Sequence, residues 1–450
     1  MQSLRGFGSC SQTHLSDSNI YGVIVRAHVK DPADGGMRSE ELKPYSKKRL
    51  YIWLMFCTLI IAYFFVYFHR VSVNVVGGDI IDELGGNVSF LSSIYFWTYA
   101  AMQIPAGLLA DRFGPRWTSA SLLAVAALGS VITAFSNDFT AVMIGKMLIA
   151  AGMAAVYIPL LKVIAVWFPK EYFPQLTGIV IAVGNLGAIA GSGPLRMIVD
   201  AVGWRETFLV LGLITMVMAA LCAAVVRNGP AVNYNKGRTA EIFRGLRMVF
   251  SGGRKFWPMA ISYFLIYGSI MVFQSTFSYT YFVTFYDFLW GAAWLASMIG
   301  IGKVLSTVLT GILIGRGIVK SKRLTMLYGT MGYAAVWAVL WFFAGKIEMY
   351  WFWFLICSLF GFLSGIMSLS FTQVKEWFPV TVAGASTSAM TVFLFLGASL
   401  STTLAGFIVS KPYAVEDFSL LWGLMLISTV VALFFIYISK ENMGDEPVGD

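Results

Sequence analysis

Again and again this chain runs for about twenty residues with hardly a charge, then turns on a short polar or basic link. Val88 to Ala106 carries no charge, nor does Thr118 to Phe135. Between them stands the turn Gly107-Leu-Leu-Ala-Asp-Arg-Phe-Gly-Pro-Arg-Trp117. A bilayer core about 30 Å thick asks for about 20 apolar residues per helix. Lipid offers no partner to backbone N–H and C=O groups, so only helices and closed barrels cross it. Barrel strands are short and alternating, whereas these runs are continuous and hence helical. Of the 450 residues, 58% are hydrophobic and only 12% charged, and the mean hydropathy is +0.74. A soluble chain of this size would need far more charge on its surface, so the class is a polytopic, all-α membrane protein.

Several chemistries drop out at once. Cys10, Cys57, Cys222 and Cys357 are scattered, with no metal-site or disulfide spacing. Of His14, His28 and His69 only the last can lie in the membrane, which excludes a bis-histidine haem. With no nucleophile, metal or cofactor constellation, neither an enzyme nor a cofactor is expected. The net charge of +9 comes from Lys and Arg clustered between apolar runs. That pattern marks topology and gives no reason to expect a nucleic-acid partner.

In chain order, residues 1–49 are polar and are expected to form a cytoplasmic tail, with Met37 an alternative start. Six spans are expected over 50–226: about 50–76 with His69-Arg70 in its outer part, 88–110, 118–135, 140–167, a fifth to 199 and a sixth to 226. Asp79, Asp82 and Glu83 are assigned to the first outer loop. Residues 227–256 form a linker holding Arg227, Lys236, Arg238, Arg244, Arg247, Arg254 and Lys255 against Glu241, and Ile242 to Phe250 reads as an amphipathic surface helix. Six further spans are expected within 257–438, and 439–450 is a short tail. Lys and Arg concentrate in the tails and the even-numbered loops, which puts both termini in the cytoplasm. The expectation is twelve helices, six plus six, about a basic linker.

The halves repeat each other. Trp167-Phe168-Pro169 and Trp377-Phe378-Pro379 are 210 residues apart, as are Gly187-Ala188 and Gly397-Ala398. The charged turn has a half-copy, Gly311-Ile-Leu-Ile-Gly-Arg316, with Gly315 where the first copy has Asp111. Repeats of this kind are a mark of transporters, with the site near the bilayer midplane.

Twelve spans, a duplicated six-helix unit and a Gly-x-x-x-Asp-Arg-x-Gly-x-Arg loop resemble the major facilitator superfamily from about Leu50 to Ile438. The loop residues that match are Gly107, Asp111, Arg112, Gly114 and Arg116, with Gly311 and Arg316 in the second half. The resemblance implies two pseudo-symmetric six-helix bundles that rock about a central site. Gly107 would let helices approach closely, Gly114-Pro115 would force the turn, and Asp111 would latch the cytoplasmic side by pairing with helix N-termini or basic groups of the other half. The alternative is a loop that only fixes topology.

Ionisable groups inside spans are costly and so mark function. Arg70, Lys146 in span 4 and Lys303 near the middle of span 8 are the three such cations, and no Asp or Glu lies well inside a span. Lys162 and Lys375, at helix ends, are expected to snorkel. Buried cations without buried acids invite an anionic substrate. The segment Tyr67-Phe-His-Arg70-Val-Ser-Val-Asn74 resembles span 1 of the superfamily's organic-anion and sugar-phosphate permease branch, whose arginine binds a carboxylate or phosphate. Guanidinium presents a bidentate fork to either group. The alternatives are that Arg70 anchors the helix at the interface and that Lys303 and Lys146 are structural.

Relatives of this branch often carry an acid before the arginine and another in span 4. Here the first place holds His69, and Gly152-Met-Ala-Ala-Val-Tyr-Ile-Pro159 has none. A proton would have to travel by His69, or a counter-anion be exchanged. Tyr99 and Gln103 in span 2, Asn185 in span 5, and Tyr263, Tyr267 and Gln274 in span 7 complete the candidate substrate site, the alternative for each being ordinary packing. The expected function is secondary transport of a small organic anion by a monomer in a bacterial cytoplasmic membrane. A carrier of a neutral or zwitterionic solute, and a transporter-like solute sensor, remain open at this point.

Overall fold

The computed structural model describes residues 39–169, 172–228, 238–288, 291–316, 318, 321–378 and 383–440. Expectations for the tail before residue 39, the middle of the linker with Lys236, Pro379 of the second Trp-Phe-Pro copy and the last ten residues lie outside these.

Among the described residues, ten helices are long and apolar enough to cross a membrane, and Gln175–Ala190 with Gly193–Val202, bent by 41°, makes an eleventh span. The twelfth is Val88–Arg112 (span 2), which has the length but not the hydropathy. Its Ser89, Ser92, Ser93, Tyr95 and Tyr99 are all buried, so its polar face is turned to protein and not to lipid. The chain is thus an all-helical protein with twelve spans. The others are Leu50–Leu84 (span 1), Gly114–Ala134 (3), Phe139–Trp167 (4), Trp204–Val225 (6), Gly253–Tyr286 (7), Gly291–Ile314 (8), Lys322–Phe342 (9), Tyr350–Glu376 (10), Ala385–Ile408 (11) and Val415–Ile438 (12), with the bent pair as span 5.

Among the boundaries that differ from expectation, two stand out. Span 1 stays helical to Leu84, so Asp79, Asp82 and Glu83 sit on its last turns and not in a loop. Each has a cationic partner that lets the helix carry it: Arg196 for Asp79, Lys411 for Asp82 and Arg205 for Glu83. The linker helix starts at Arg238, four residues before the expected Ile242.

The repeat has a structural cause. A Cβ added to Gly187 would stand 2.1 Å from the carbonyl oxygen of Phe64, and one added to Gly397 would stand 2.1 Å from that of Phe264. These glycines are where span 5 touches span 1 and span 11 touches span 7, backbone to backbone. Spans 4 and 10 are each broken at matching places, after Met153 and after Ile366. Pro159, which has no N–H to give its helix, accounts for the first break. Span 10 has no proline there.

Spans 2 and 11, and spans 5 and 8, carry the packing between the first six spans and the last six. Call the side of residues 85–87 the loop-1 face and the opposite side the linker face. Toward the loop-1 face the two sets of spans are bonded together. Asn87 caps span 2 through Ser89 N at 2.8 Å and donates to the carbonyls of Gly406 and Val409 at the end of span 11, at 3.0 and 3.2 Å. Asn74 donates to Ser278 Oγ at 2.8 Å and accepts from Tyr279 N at 3.0 Å. Ser92 donates to Ser275 O, Gly193 N to Ser297 Oγ, and Lys411 pairs with Asp82. Span 7 meets Asn74 and Ser92 just at or after a π-helical turn, Phe273–Phe277, whose extra residue turns the following side chains to a new face.

Candidate functional site

Span 1 presents Tyr63, Tyr67, Arg70 and Asn74 along one stripe, at the spacing of four, three and four that keeps residues on one helix face. Asn74 reaches span 7, as above. Arg70 lies one turn further in, 6% exposed, with its guanidinium 4.2 Å over Tyr67, 5.3 Å from the Tyr99 ring and 5.1 Å from that of Phe395. Its Nη1 donates to Tyr267 Oη at 3.3 Å. Aromatic faces offset part of the cost of burying a cation, but a guanidinium has five donors. Arg70 Nε is buried with no partner.

The other half answers with the same residues. Tyr263 and Tyr267 on span 7 are buried, with rings 5.8 Å apart, and Tyr263 meets Phe371 edge-on at 5.3 Å. Lys303 of span 8 points its Nζ at the Tyr267 ring, 5.4 Å from its centre. Tyr267 therefore touches Arg70 with its hydroxyl and Lys303 with its face, joining a cation of the first six spans to a cation of the last six. Tyr99 packs on Phe395 at 4.2 Å, closing the same cluster from spans 2 and 11. Among the described residues no carboxylate is paired with either cation: the six ion pairs all lie at helix ends or in loops.

The structure thus brings together Arg70, Lys303, Tyr99, Tyr263 and Tyr267. It separates others. His69 and Ser72 share a different face of span 1, and Lys146 Nζ donates to Ser72 Oγ at 3.2 Å while lying 4.4 Å over Phe208 of span 6. Lys146 and His69 are both wholly buried. Lys146 is therefore a cation held inside its own six spans, apart from the Arg70 and Lys303 cluster. His69 turns away with it, and neither ring nitrogen has a partner among the described residues. Asn185 spends its amide on Ile181 O of its own helix at 3.0 Å. Gln274 sits in the π-helical turn, buried, seven residues beyond Tyr267. Gln103 is half-buried one turn beyond Tyr99 toward the linker face.

One signal of this cluster in the sequence is a repeated tyrosine motif. Ile61-Ala-Tyr63-Phe64-x-x-Tyr67 and Ile261-Ser-Tyr263-Phe264-x-x-Tyr267 are the same motif 200 residues apart. Its tyrosines flank Arg70, and its phenylalanine carbonyls meet Gly187 and Gly397. Phe395 and Phe371 had no such signal, because aromatic residues crowd every span.

At the linker face the charged loop works within its own half. Gly114 takes φ 78°, which a glycine allows at the turn. Asp111 is 2.5 Å from Lys162 of span 4, so Lys162 has an acidic partner where snorkelling was expected. Arg116 Nε donates to Ala223 O at 2.6 Å, satisfying a free carbonyl in the last turn of span 6. Asn228 joins Arg116 N and Phe113 O. Arg112 lies 5.3 Å over Phe113. A Cβ on Gly107 would find only Ile158 Cδ1, at 3.6 Å, and one on Gly311 nothing within 4 Å; Arg316 is exposed. The expected bond from Asp111 to the other half is therefore replaced here by one inside the first half, and neither loop glycine is at a close helix contact. In the other half an ion pair at this face joins Lys322 of span 9 to Glu376 of span 10.

Twelve spans with a cationic cluster, unpaired with any acid among the described residues, where the two sets of six meet define a polytopic membrane protein built around a polar centre. The family model described as Major Facilitator Superfamily matches residues 59–402, and the chain belongs to that family. Over 173 residues it is 28% identical to a probable sulfoacetate transporter, SauU, of Cupriavidus necator, covering 38% of this chain and 40% of that one. Over 171 residues it is 24% identical to a probable galactarate/D-glucarate transporter, GarP, of Escherichia coli K12, covering 36% and 38%. The chain thus matches about two fifths of the length of these curated relatives. The crystal structure of a D-xylose-proton symporter matches with a TM-score of 0.71 at 14% identity, over 88% of this chain and 100% of that one, a likeness of fold.

Proposed function

We propose that this protein is a secondary transporter of a small organic anion, a carrier and not an enzyme, working by alternating access between its two six-helix bundles, 50–226 and 257–438. The observation that carries the reading is Tyr267, which brings Arg70 and Lys303 together across the interface of the halves with no carboxylate among the described residues to balance them. A buried charge needs a counter-charge, and a site that is empty between visits leaves the substrate to supply it. The relatives named for sulfoacetate and for galactarate/D-glucarate support an organic acid. The bonds of Asn74, Asn87, Ser92 and Gly193 across the halves close the loop-1 face, and the tight pairing of Asp111 with Lys162 leaves the loop's acid free of the other half in this arrangement. In the opposite arrangement the Gly107–Arg116 loop and its half-copy at Gly311–Arg316 would approach and latch. The Lys and Arg of the linker and the even-numbered loops support a cytoplasmic linker face with both termini on that side, and the relatives from Cupriavidus necator and Escherichia coli support a bacterial membrane.

The test is a thermal-stabilisation screen of the purified chain against organic anions, zwitterions and neutral solutes. A ligand that binds the folded state stabilises it by mass action. Anions should raise the midpoint in wild type and not in Arg70→Ala. Stabilisation by neutral solutes alone overturns the anion reading.

A further inference from the structure

We infer that the substrate is a small dianion, with its two negative groups at opposite ends of a short chain, one taken by Arg70 and the other by Lys303. The inference rests on the anion reading above and adds a count of charges to it. Among the described residues Arg70 meets only neutral hydroxyls, those of Tyr267, Tyr95 and Tyr99, and its Nε is buried with no partner. Lys303 is half-buried, and among the described residues its ammonium has an aromatic face for company and no hydrogen-bond acceptor. A single carboxylate would neutralise one of these cations and leave the other buried and unbalanced. Two negative groups neutralise both.

The geometry of Tyr267 sets the spacing. Its hydroxyl is at Arg70 and its ring is under Lys303, so one phenol side chain separates the two cations and a short diacid matches the gap. Because Arg70 belongs to span 1 and Lys303 to span 8, a dianion tethers the two halves, whereas a monoanion engages only one. Selectivity for charge and commitment of the halves to move together would then have one origin. Arg70 alone offers the fork that holds a planar anionic group in two bonds, while Lys303 acts as a point charge tolerant of what the second group is.

The test is isothermal titration of the purified full chain in detergent with malonate, succinate, glutarate and adipate, each against its monoamide and its neutral diamide. These sets keep length and shape and change only charge. In wild type at least one diacid should bind ten times or more tighter than its monoamide. Lys303→Gln should remove that preference by weakening the diacid while leaving the monoamide within about threefold, since one anionic group still meets Arg70. Lys303→Arg, which keeps the charge, should retain the preference and guards against a folding artefact in the glutamine variant. Equal affinity of diacid and monoamide in wild type, or an unchanged ratio in Lys303→Gln, overturns the dianion inference while leaving an anion site standing. Diamides that bind as well as the acids, or no binding by any acid, count against the anion reading itself and against the inference with it.

Discussion

Asn74 is the residue whose loss should most cleanly open the loop-1 face. It is fully buried on span 1, and its one amide makes both bonds to span 7, at 2.8 Å to Ser278 Oγ and 3.0 Å from Tyr279 N. Substitution by alanine removes both and leaves a hydroxyl and a backbone N–H buried without partners. At about 0.5 to 1.5 kcal/mol net for each bond, the closed arrangement should lose about 1 to 3 kcal/mol relative to one in which those groups meet water. That is roughly a 5- to 150-fold shift in the balance between the two arrangements. Spin labels at Asn137→Cys and Glu348→Cys, exposed positions on opposite halves, report the separation directly once the native cysteines are replaced. Asn74→Ala should add a population at longer distance. Asn74→Asp, which can still accept from Tyr279 N, should fall between. A distance distribution identical to wild type in a folded Asn74→Ala protein would refute the assignment of Asn74 as the closing contact.

Three further outcomes are expected. Gly187→Ala and Gly397→Ala should each lower the thermal midpoint, by about 1 to 3 kcal/mol of overpacking, because the new methyl meets a backbone oxygen that cannot rotate away; Gly311→Ala, with open space around it, should not. Arg116→Ala should cost about 1 to 2 kcal/mol in the same assay through the lost bond at the end of span 6, with partial recovery in Arg116→Lys. Asp111→Asn should change stability by less than about 1 kcal/mol, since the Lys162 pair is partly solvated, yet lower flux in liposomes; unchanged flux would reduce the loop to a strut.

How far the sequence could be read depended on what kind of force each feature obeys. The membrane class, the twelve spans and the duplication were legible, because lipid imposes length and hydropathy on every span and the glycines at 187 and 397 answer to a backbone contact made twice. Arg70 and Lys303 stood out as buried cations for a related reason, the cost of a charge in lipid. Lys146 obeyed that rule too, yet lies apart from them. Its spacing from Arg70 in the chain says nothing of which face of span 4 it occupies, and only packing shows that it turns to Ser72 and Phe208. The Tyr-Phe-x-x-Tyr pair was readable and lost among 20 tyrosines and 36 phenylalanines. The partner of Asp111 was not readable, since the same acid can face its own half or the other as the halves move.

Counterflow in proteoliposomes tests the central claim most directly: Arg70 and Lys303, meeting at Tyr267, hold the anion that this protein carries. Vesicles loaded with an unlabelled acid from the stabilisation screen should draw in the labelled one when they contain wild type. Arg70→Ala should abolish that uptake, and Lys303→Ala should reduce it by at least tenfold. Full counterflow in both variants would place the substrate elsewhere and contradict the account.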